Sequence, residues 1–346
     1  MSQVTRVLVI DDSAFARKVI REMLSRNPYI EVVGAARDGA EALEMVEQLK
    51  PDVVTCDLLM PRLDGVGFVR EQMKRRPLPI LILSVAPQDA EQALAALEAG
   101  AVDFVQKPTA LATDELLHIR EELVDKVKAA AGALVDRLQV DQLAPVPVPE
   151  PKPHAPGRVD AIVIGVSTGG PQALRNLIPR FPADFPVPIA IVLHMPVGFT
   201  ALFAEKLNES SALTVKEAVD GDEMRAGLVL LAQAGRHMIL RRNAGGKVTA
   251  HLVRQPADLL HRPSVDVLFR SAAEVYGDRV LGVVMTGMGN DGKQGAAWIK
   301  AQGGSVITEA QQSCVIYGMP HAVVEAGLSD GAVPLNQLAR SIMERI

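Results

Sequence analysis

Two α/β domains joined by a spacer are predicted for this chain, and three observations predict them. Short apolar, β-branched runs alternate with segments of helical periodicity along nearly all of its 346 residues. Several of those runs are apolar at every position, as strands buried on both faces of a parallel sheet must be. Near the middle, six prolines fall within residues 145–156, a pattern that cannot join a helix and favours an extended, semi-rigid spacer. The length itself suits two domains, and 48% apolar residues suffice for two cores.

In the first part, residues 1–138, strand-like runs lie at Arg6–Ile10, Glu31–Ala35, Asp52–Cys56, Leu78–Leu83 and Val102–Val105. Helical spacing between them is visible at Ala40, Leu43 and Val46 and again at Ala93, Leu94 and Leu97, and a long last helix is expected over Asp114–Leu138. Five strands alternating with helices argue for a doubly wound parallel sheet, whose ligands bind beyond the carboxyl ends of its strands. Asp11 and Asp12 follow the first strand, Asp57 the third; Ser84 ends the fourth, and Lys107 follows the fifth. A helix cap accounts for one such acid but not for five polar groups on one edge. Clustered carboxylates beside a lysine suit a hard cation such as Mg²⁺, and one carboxylate could then attack a phosphoryl group to form an acyl phosphate.

Asp11-Asp12-Ser13, Asp57 within Cys56-Asp57-Leu58-Leu59-Met60-Pro61, Asp64-Gly65, Ser84 and Lys107-Pro108 together resemble a response-regulator receiver domain. The resemblance implies that Asp57 is the phosphoacceptor and that Asp11, Asp12 and Asp57 hold Mg²⁺. Ser84 and Lys107 are implied to read the phosphoryl oxygens. Phe104 stands where many receivers carry a tyrosine that rotates on activation.

The proline-rich spacer is assigned to residues 139–157 and the output domain to residues 158–346. From Gly157 onward the chain has 18 Lys and Arg against 17 Asp and Glu, which leaves no electrostatic footprint for nucleic acid. Cys56 and Cys314 have no metal or redox spacing, and the seven histidines form no H-E-x-x-H or H-x-H group. Both cysteines are expected in the core. No apolar run approaches the ~20 residues of a membrane span, and no signal peptide opens the chain. The expectation is a cytoplasmic protein without membrane insertion.

Ile162-Val163-Ile164 reads as a buried strand, followed by a tight turn over Gly165–Gly170 and by Pro171 at the start of a helix. Ser167 thus sits at a strand-to-helix corner, which suits either a bound anion or a serine nucleophile beside oxyanion donors. Further strands are expected at Val187–Leu193, Val229–Ala232, His237–Arg241, Lys247–Val253 and Val280–Thr286. A turn is expected at Asn243–Gly246, and a capped helix opens at Pro263-Ser264. Three strand ends therefore present Ser167, His194 and Asp291, the parts of a nucleophile, a base and an orienting carboxylate. Each has a plainer reading, as a helix cap or a hydrogen-bonded histidine. The alternative output is a nucleotide- or phosphate-binding domain, in which the Gly-rich corners suffice and His194 has no role. The order Ser, His, Asp also departs from the Ser, Asp/Glu, His order of α/β-hydrolases.

Gly165-Val-Ser-Thr-Gly-Gly170, Leu193-His-Met-Pro196, Arg262-Pro-Ser-Val-Asp266 and Met285-Thr-Gly-Met-Gly-Asn-Asp-Gly292, behind an intact receiver, resemble the chemotaxis protein-glutamate methylesterases. The resemblance implies Ser167 as nucleophile, His194 as general base and acid, Asp291 as its carboxylate, and the backbone N–H groups of Thr168 and Met288 as oxyanion hole. It implies hydrolysis of glutamate methyl esters on chemoreceptors, deamidation of receptor glutamines, and no cofactor for either. A histidine kinase of the chemotaxis pathway is the implied phosphodonor, and the receiver is implied to restrain the esterase until phosphorylated.

Overall fold

In a computed structural model of the protein, residues 4–84, 89–107, 113–133 and 159–346 are described. The chain divides into two compact units, Met1–Gln139 and Val140–Ile346.

In the first unit, β1 (Thr5–Ile10), β2 (Ile30–Ala36), β3 (Val53–Asp57), β4 (Ile80–Ser84) and β5 (Asp103–Gln106) form one sheet in the order β2-β1-β3-β4-β5. Every pairing in it is parallel, so each return needs a crossover. These are α1 (Ala14–Ser25), α2 (Gly39–Leu49), α3 (Gly65–Arg75) and α4 (Ala90–Glu98), with α5 (Thr113–Ala131) closing the unit. Three helices begin where a side chain accepts an otherwise unpaired N–H: Ser13 from Ala16, Asp38 from Ala40 and Glu41, and Asp64 from Gly67. Val7–Ile10, Val53, Val54 and Ile80–Ile82 are fully buried, each at a gain of about 1.5–3 kcal/mol relative to exposure. The helix expected over Asp114–Leu138 instead ends at Ala131. Gly132, a poor helix former, follows and donates to Ala129 O at 3.1 Å. Residues 134–138 and the linker expected over 139–157 lie outside the described residues.

The second unit contains β6 (Ala161–Val166), α6 (Gly170–Leu177), β7 (Ile189–Leu193), α7 (Thr200–Glu209), β8 (Thr214–Glu217) and β9 (Leu228–Leu231). Then come β10 (His237–Arg242), β11 (Val248–Val253), α8 (Val265–Tyr276), β12 (Val280–Val284) and α9 (Lys293–Ala301). The chain closes with β13 (Ser305–Glu309), α10 (Met319–Glu325), β14 (Ala332–Val333) and α11 (Leu335–Met343). Seven strands make a parallel sheet in the order β14-β13-β12-β6-β7-β9-β8. All six residues of β6 are buried, as its central place demands. β10 and β11 stand apart as an antiparallel pair joined by the expected turn at Asn243. The strand expected to reach Thr286 stops at Val284, because the Thr286 N–H donates instead to the buried Glu309 carboxylate at 2.9 Å. Both cysteines are buried thiols. Among the described residues, no helix is long and apolar enough to cross a membrane.

Candidate active site

β6 lies between β12 and β7, so three adjacent strands lead to Asp291, Ser167 and His194 at one sheet edge. The crossovers from β6 run to β7 on one side, while β12 arrives later on the other, which opens a crevice at the carboxyl ends. Ser167 follows β6 directly, and its N–H donates to Thr286 O at 3.0 Å. Gly169, with φ 78°, turns the chain into α6, a conformation that costs glycine nothing. Val166 pairs with Leu193, so the next residues, Ser167 and His194, are neighbours across strands spaced about 4.8 Å apart.

The Asp291 carboxylate is the hub. Its Oδ2 accepts from His194 Nε2 and from the Val265 N–H, each at 2.8 Å. Its Oδ1 accepts from Ser264 Oγ and the Asp266 N–H at 2.9 Å and from the Gly292 N–H at 3.0 Å. Asp291 therefore sits on the positive end of α8, where a carboxylate is favoured. Burial pushes its pKa up, but the His194 hydrogen bond and charge, with the Asp266 and Val265 N–H groups, outweigh it and hold the carboxyl well below the ordinary range. The expected cap of α8 is thus corrected: Ser264 makes no cap bond to its own helix but donates to Asp291, which does the capping.

Asp266 returns the arrangement, its Oδ1 accepting from the Gly292 N–H at 2.9 Å and the Gly295 N–H at 2.7 Å at the start of α9. Burial, the Asp291 charge adding to it, raises the Asp266 carboxyl to about 6 against those N–H bonds.

With an anionic partner on Nε2, that nitrogen of His194 carries the proton and Nδ1 keeps the lone pair. Nδ1 is buried and has no hydrogen-bond partner among the described residues, a state that costs about 1–3 kcal/mol. The pair can thus accept one proton at Nδ1 and hold the resulting cation against Asp291. Gly287 brings the last loop close: a Cβ there would lie 2.8 Å from Ser167 Cβ. That approach sets Met288, half-buried, next to the serine corner, where Thr168 is buried on the other side. Met195 and Met319 are buried.

Four residues here escaped sequence reasoning: His237, His261, Ser264 and Asp266. His237 is wholly buried; its Nε2–H donates to Pro256 O at 2.9 Å and its Nδ1 accepts the Ser264 N–H at 3.2 Å. The Arg262-Pro-Ser-Val-Asp266 motif contains Ser264 and Asp266 but assigns them no contact, and it reaches neither His237 nor His261.

On the first unit, ligand atoms of Asp11, Asp12 and Asp57 lie within 4.8 Å of one another, an all-oxygen set that fits a hard divalent cation. Lys107 Nζ stands 2.7 Å from Asp11 Oδ2 and 2.7 Å from Asp57 Oδ2, and Asp57 Oδ1 accepts the Leu58 N–H at 2.7 Å. Burial raises the Asp57 carboxyl; Lys107 opposes it, and the Asp11 charge adds to it. Ser84 ends β4, and its side chain lies outside the described residues.

Fold and geometry define a class: a receiver-type domain with an acidic sheet edge, followed by an α/β catalytic domain. Comparison with known proteins narrows it. Residues 7–119 match the response regulator receiver domain and residues 162–342 the CheB methylesterase family. A protein of Myxococcus xanthus named protein-glutamate methylesterase/protein-glutamine glutaminase 5 is 52% identical over 95% of this chain and 94% of its own. A protein of the same activity name from Symbiobacterium thermophilum is 46% identical over 99% of this chain and 97% of its own. The crystal structure of the Thermotoga maritima CheB methylesterase catalytic domain is 41% identical, with a TM-score of 0.53 over 54% of this chain and 99% of that one. This chain belongs to the CheB methylesterase family.

Proposed function

We propose that this chain is a phosphorylation-regulated hydrolase that removes methyl esters from chemoreceptor glutamates and deamidates receptor glutamines, with Ser167 as nucleophile. The observation that carries the reading is the saturated Asp291 carboxylate on His194 Nε2, which keeps the lone pair on Nδ1, one strand over from Ser167 and not hydrogen-bonded to it here. A nucleotide-binding output leaves that pair without a role.

In the first half-reaction His194 Nδ1 takes the Ser167 hydroxyl proton as the oxygen attacks the ester carbonyl. The Thr168 and Met288 N–H groups stabilise the oxyanion. The intermediate collapses as the imidazolium protonates the departing methoxide, which leaves as methanol. Water then gives a proton to Nδ1, attacks the acyl-serine and releases free glutamate, the proton returning to Ser167. With glutamine the leaving group is ammonia. The demethylated product bears one more negative charge than the ester, which gives receptor adaptation its physical signal. The sheet, with Ser167, His194 and Asp291 in that chain order, is of hydrolase type but not of α/β-hydrolase order.

In the receiver, Asp57 accepts the phosphoryl group from a chemotaxis histidine kinase, and Asp11, Asp12 and Asp57 would hold Mg²⁺. When bound, that ion supplies positive charge to the phosphoryl oxygens. Lys107 holds Asp57 in place and, with Ser84, meets those oxygens afterwards. A cytoplasmic site of action fits the proposed phosphodonor, a chemotaxis histidine kinase. Membranes bearing methyl-labelled receptors test the reading: methanol release that rises with a phosphodonor supports it, and no release refutes it.

A further inference from the structure

We infer that His261 is a positioning residue for the base, its ring fixing the plane of the His194 imidazole. The inference rests on His194 being that base. The two rings stack with centroids 4.0 Å apart and planes 20° from parallel. His194 is held at one nitrogen only, Nε2 on Asp291, while Nδ1 has no partner among the described residues. A single hydrogen bond fixes one atom of a ring and leaves rotation about its axis open. Rotation about Cβ–Cγ moves Nδ1 farther than Nε2, which lies nearer the axis, so it turns the lone pair away from the serine while displacing the atom bonded to Asp291 less. A flat ring stacked on the face of the imidazole blocks that motion.

His261 can do this because its segment is tied at both ends. His237 holds Pro256 O and the Ser264 N–H, the Gly235 N–H donates to Arg262 O at 2.9 Å, and Arg262 reaches back to Ala257 O at 2.9 Å. The same segment then runs into Ser264, Val265 and Asp266, which grip Asp291. One stretch of chain therefore sets both the carboxylate below the base and the ring beside it.

The test uses the full chain, with steady-state methanol release from methylated receptor membranes by His261→Ala, His261→Phe and Ser167→Ala. Misplacing a reacting group costs up to about 10²-fold. His261→Ala is expected to lose ~10- to 100-fold in kcat with KM within about threefold, and His261→Phe, flat and uncharged, to recover most of it. Thermal melting and Asp57 labelling near the unsubstituted values show that the fold is intact. Unchanged kcat in His261→Ala, a loss confined to KM, or a Phe variant as slow as the Ala variant overturns the inference. Ser167→Ala separates the two levels. If it is inactive while His261→Ala is normal, only the His261 role falls; if it is active, the nucleophile reading falls with it.

Discussion

Replacing Asp291 with asparagine isolates the charge at the hub, because size and shape are kept. At the observed 2.8 Å, a carboxylate and an imidazolium attract by about 6 kcal/mol at an effective dielectric of ~20. That is an upper bound of about four decades in rate, since each decade needs about 1.4 kcal/mol. The amide adds a second fault. Turned one way, its NH₂ faces the Val265 N–H and His194 Nε2; turned the other, it faces the Asp266 and Gly292 N–H groups and Ser264 Oγ. In the first orientation His194 must move its proton to Nδ1, and the lone pair that serves Ser167 is lost. Equivalent swaps in serine proteases cost ~10⁴ in kcat. The expected loss for Asp291→Asn is therefore ~10³- to 10⁴-fold in kcat, still milder than Ser167→Ala, as the carboxylate of such triads is the least costly member to lose. Methanol release measures it, and a thermal melt separates the cap lost from α8, worth about 1–2 kcal/mol. Activity within tenfold of the unsubstituted protein would refute the assignment of Asp291 and the proton placement on His194.

Asp57→Asn should lose the hydroxylamine-sensitive acyl-phosphate labelling from acetyl phosphate and the accompanying activation while keeping basal hydrolysis; chelating divalent cations should abolish labelling of the intact protein. Persistent labelling of Asp57→Asn, followed by radiolabelled donor, would count against Asp57. A chain beginning near Ala155 should demethylate receptors faster than the unphosphorylated full chain, and equal rates without phosphodonor would remove the case for restraint. Asp266→Asn should keep both caps on α9, because one oxygen makes both bonds, and should lose the cost of a carboxyl raised to about 6 from its ordinary 3.8. A raised acid binds its proton more readily in the folded chain, so its penalty is full above pH ~6 and fades towards pH ~4. The variant should be more stable to unfolding than the unsubstituted protein near pH 8 by about 1–2 kcal/mol, after allowance for partial exposure, and match it near pH 4. A variant less stable by a constant amount across that range would contradict the account.

Strands buried on both faces were legible because they are continuous apolar runs: β1, β3, β6, β7 and β12 all lie where such runs predict them. β8, Thr-Val-Lys-Glu, has one apolar residue in four and lies at a sheet edge, and β14 has only two residues, so neither has a periodicity to read. β13 was missed as well; it ends in Thr308 and Glu309, buried polar residues whose partners are distant in sequence. Ser167 and His194 could be placed because each follows its strand at once. Asp291 was read at a strand end as well, but β12 stops at Val284, so a loop and not the strand itself carries Asp291 to the site. Which nitrogen of His194 meets it, and why, depends on Ser264, Val265 and Asp266, which contact Asp291 across 25 to 27 residues of chain. That pairing is tertiary, as is the His194–His261 stack, and neither leaves a local pattern. In the receiver the acids and Lys107 were visible at strand ends, whereas the two equal contacts from Lys107 to Asp11 and Asp57 are set by the closing of β5 on the sheet.

The central claim is that one serine oxygen does the chemistry on receptor esters. Methanol released from membranes with methyl-labelled receptors, measured for the intact chain and for Ser167→Ala side by side, tests it most directly. The account predicts release by the first and only background from the second, with both chains melting alike and both accepting phosphate at Asp57. Release by Ser167→Ala at a rate near that of the intact chain would contradict it.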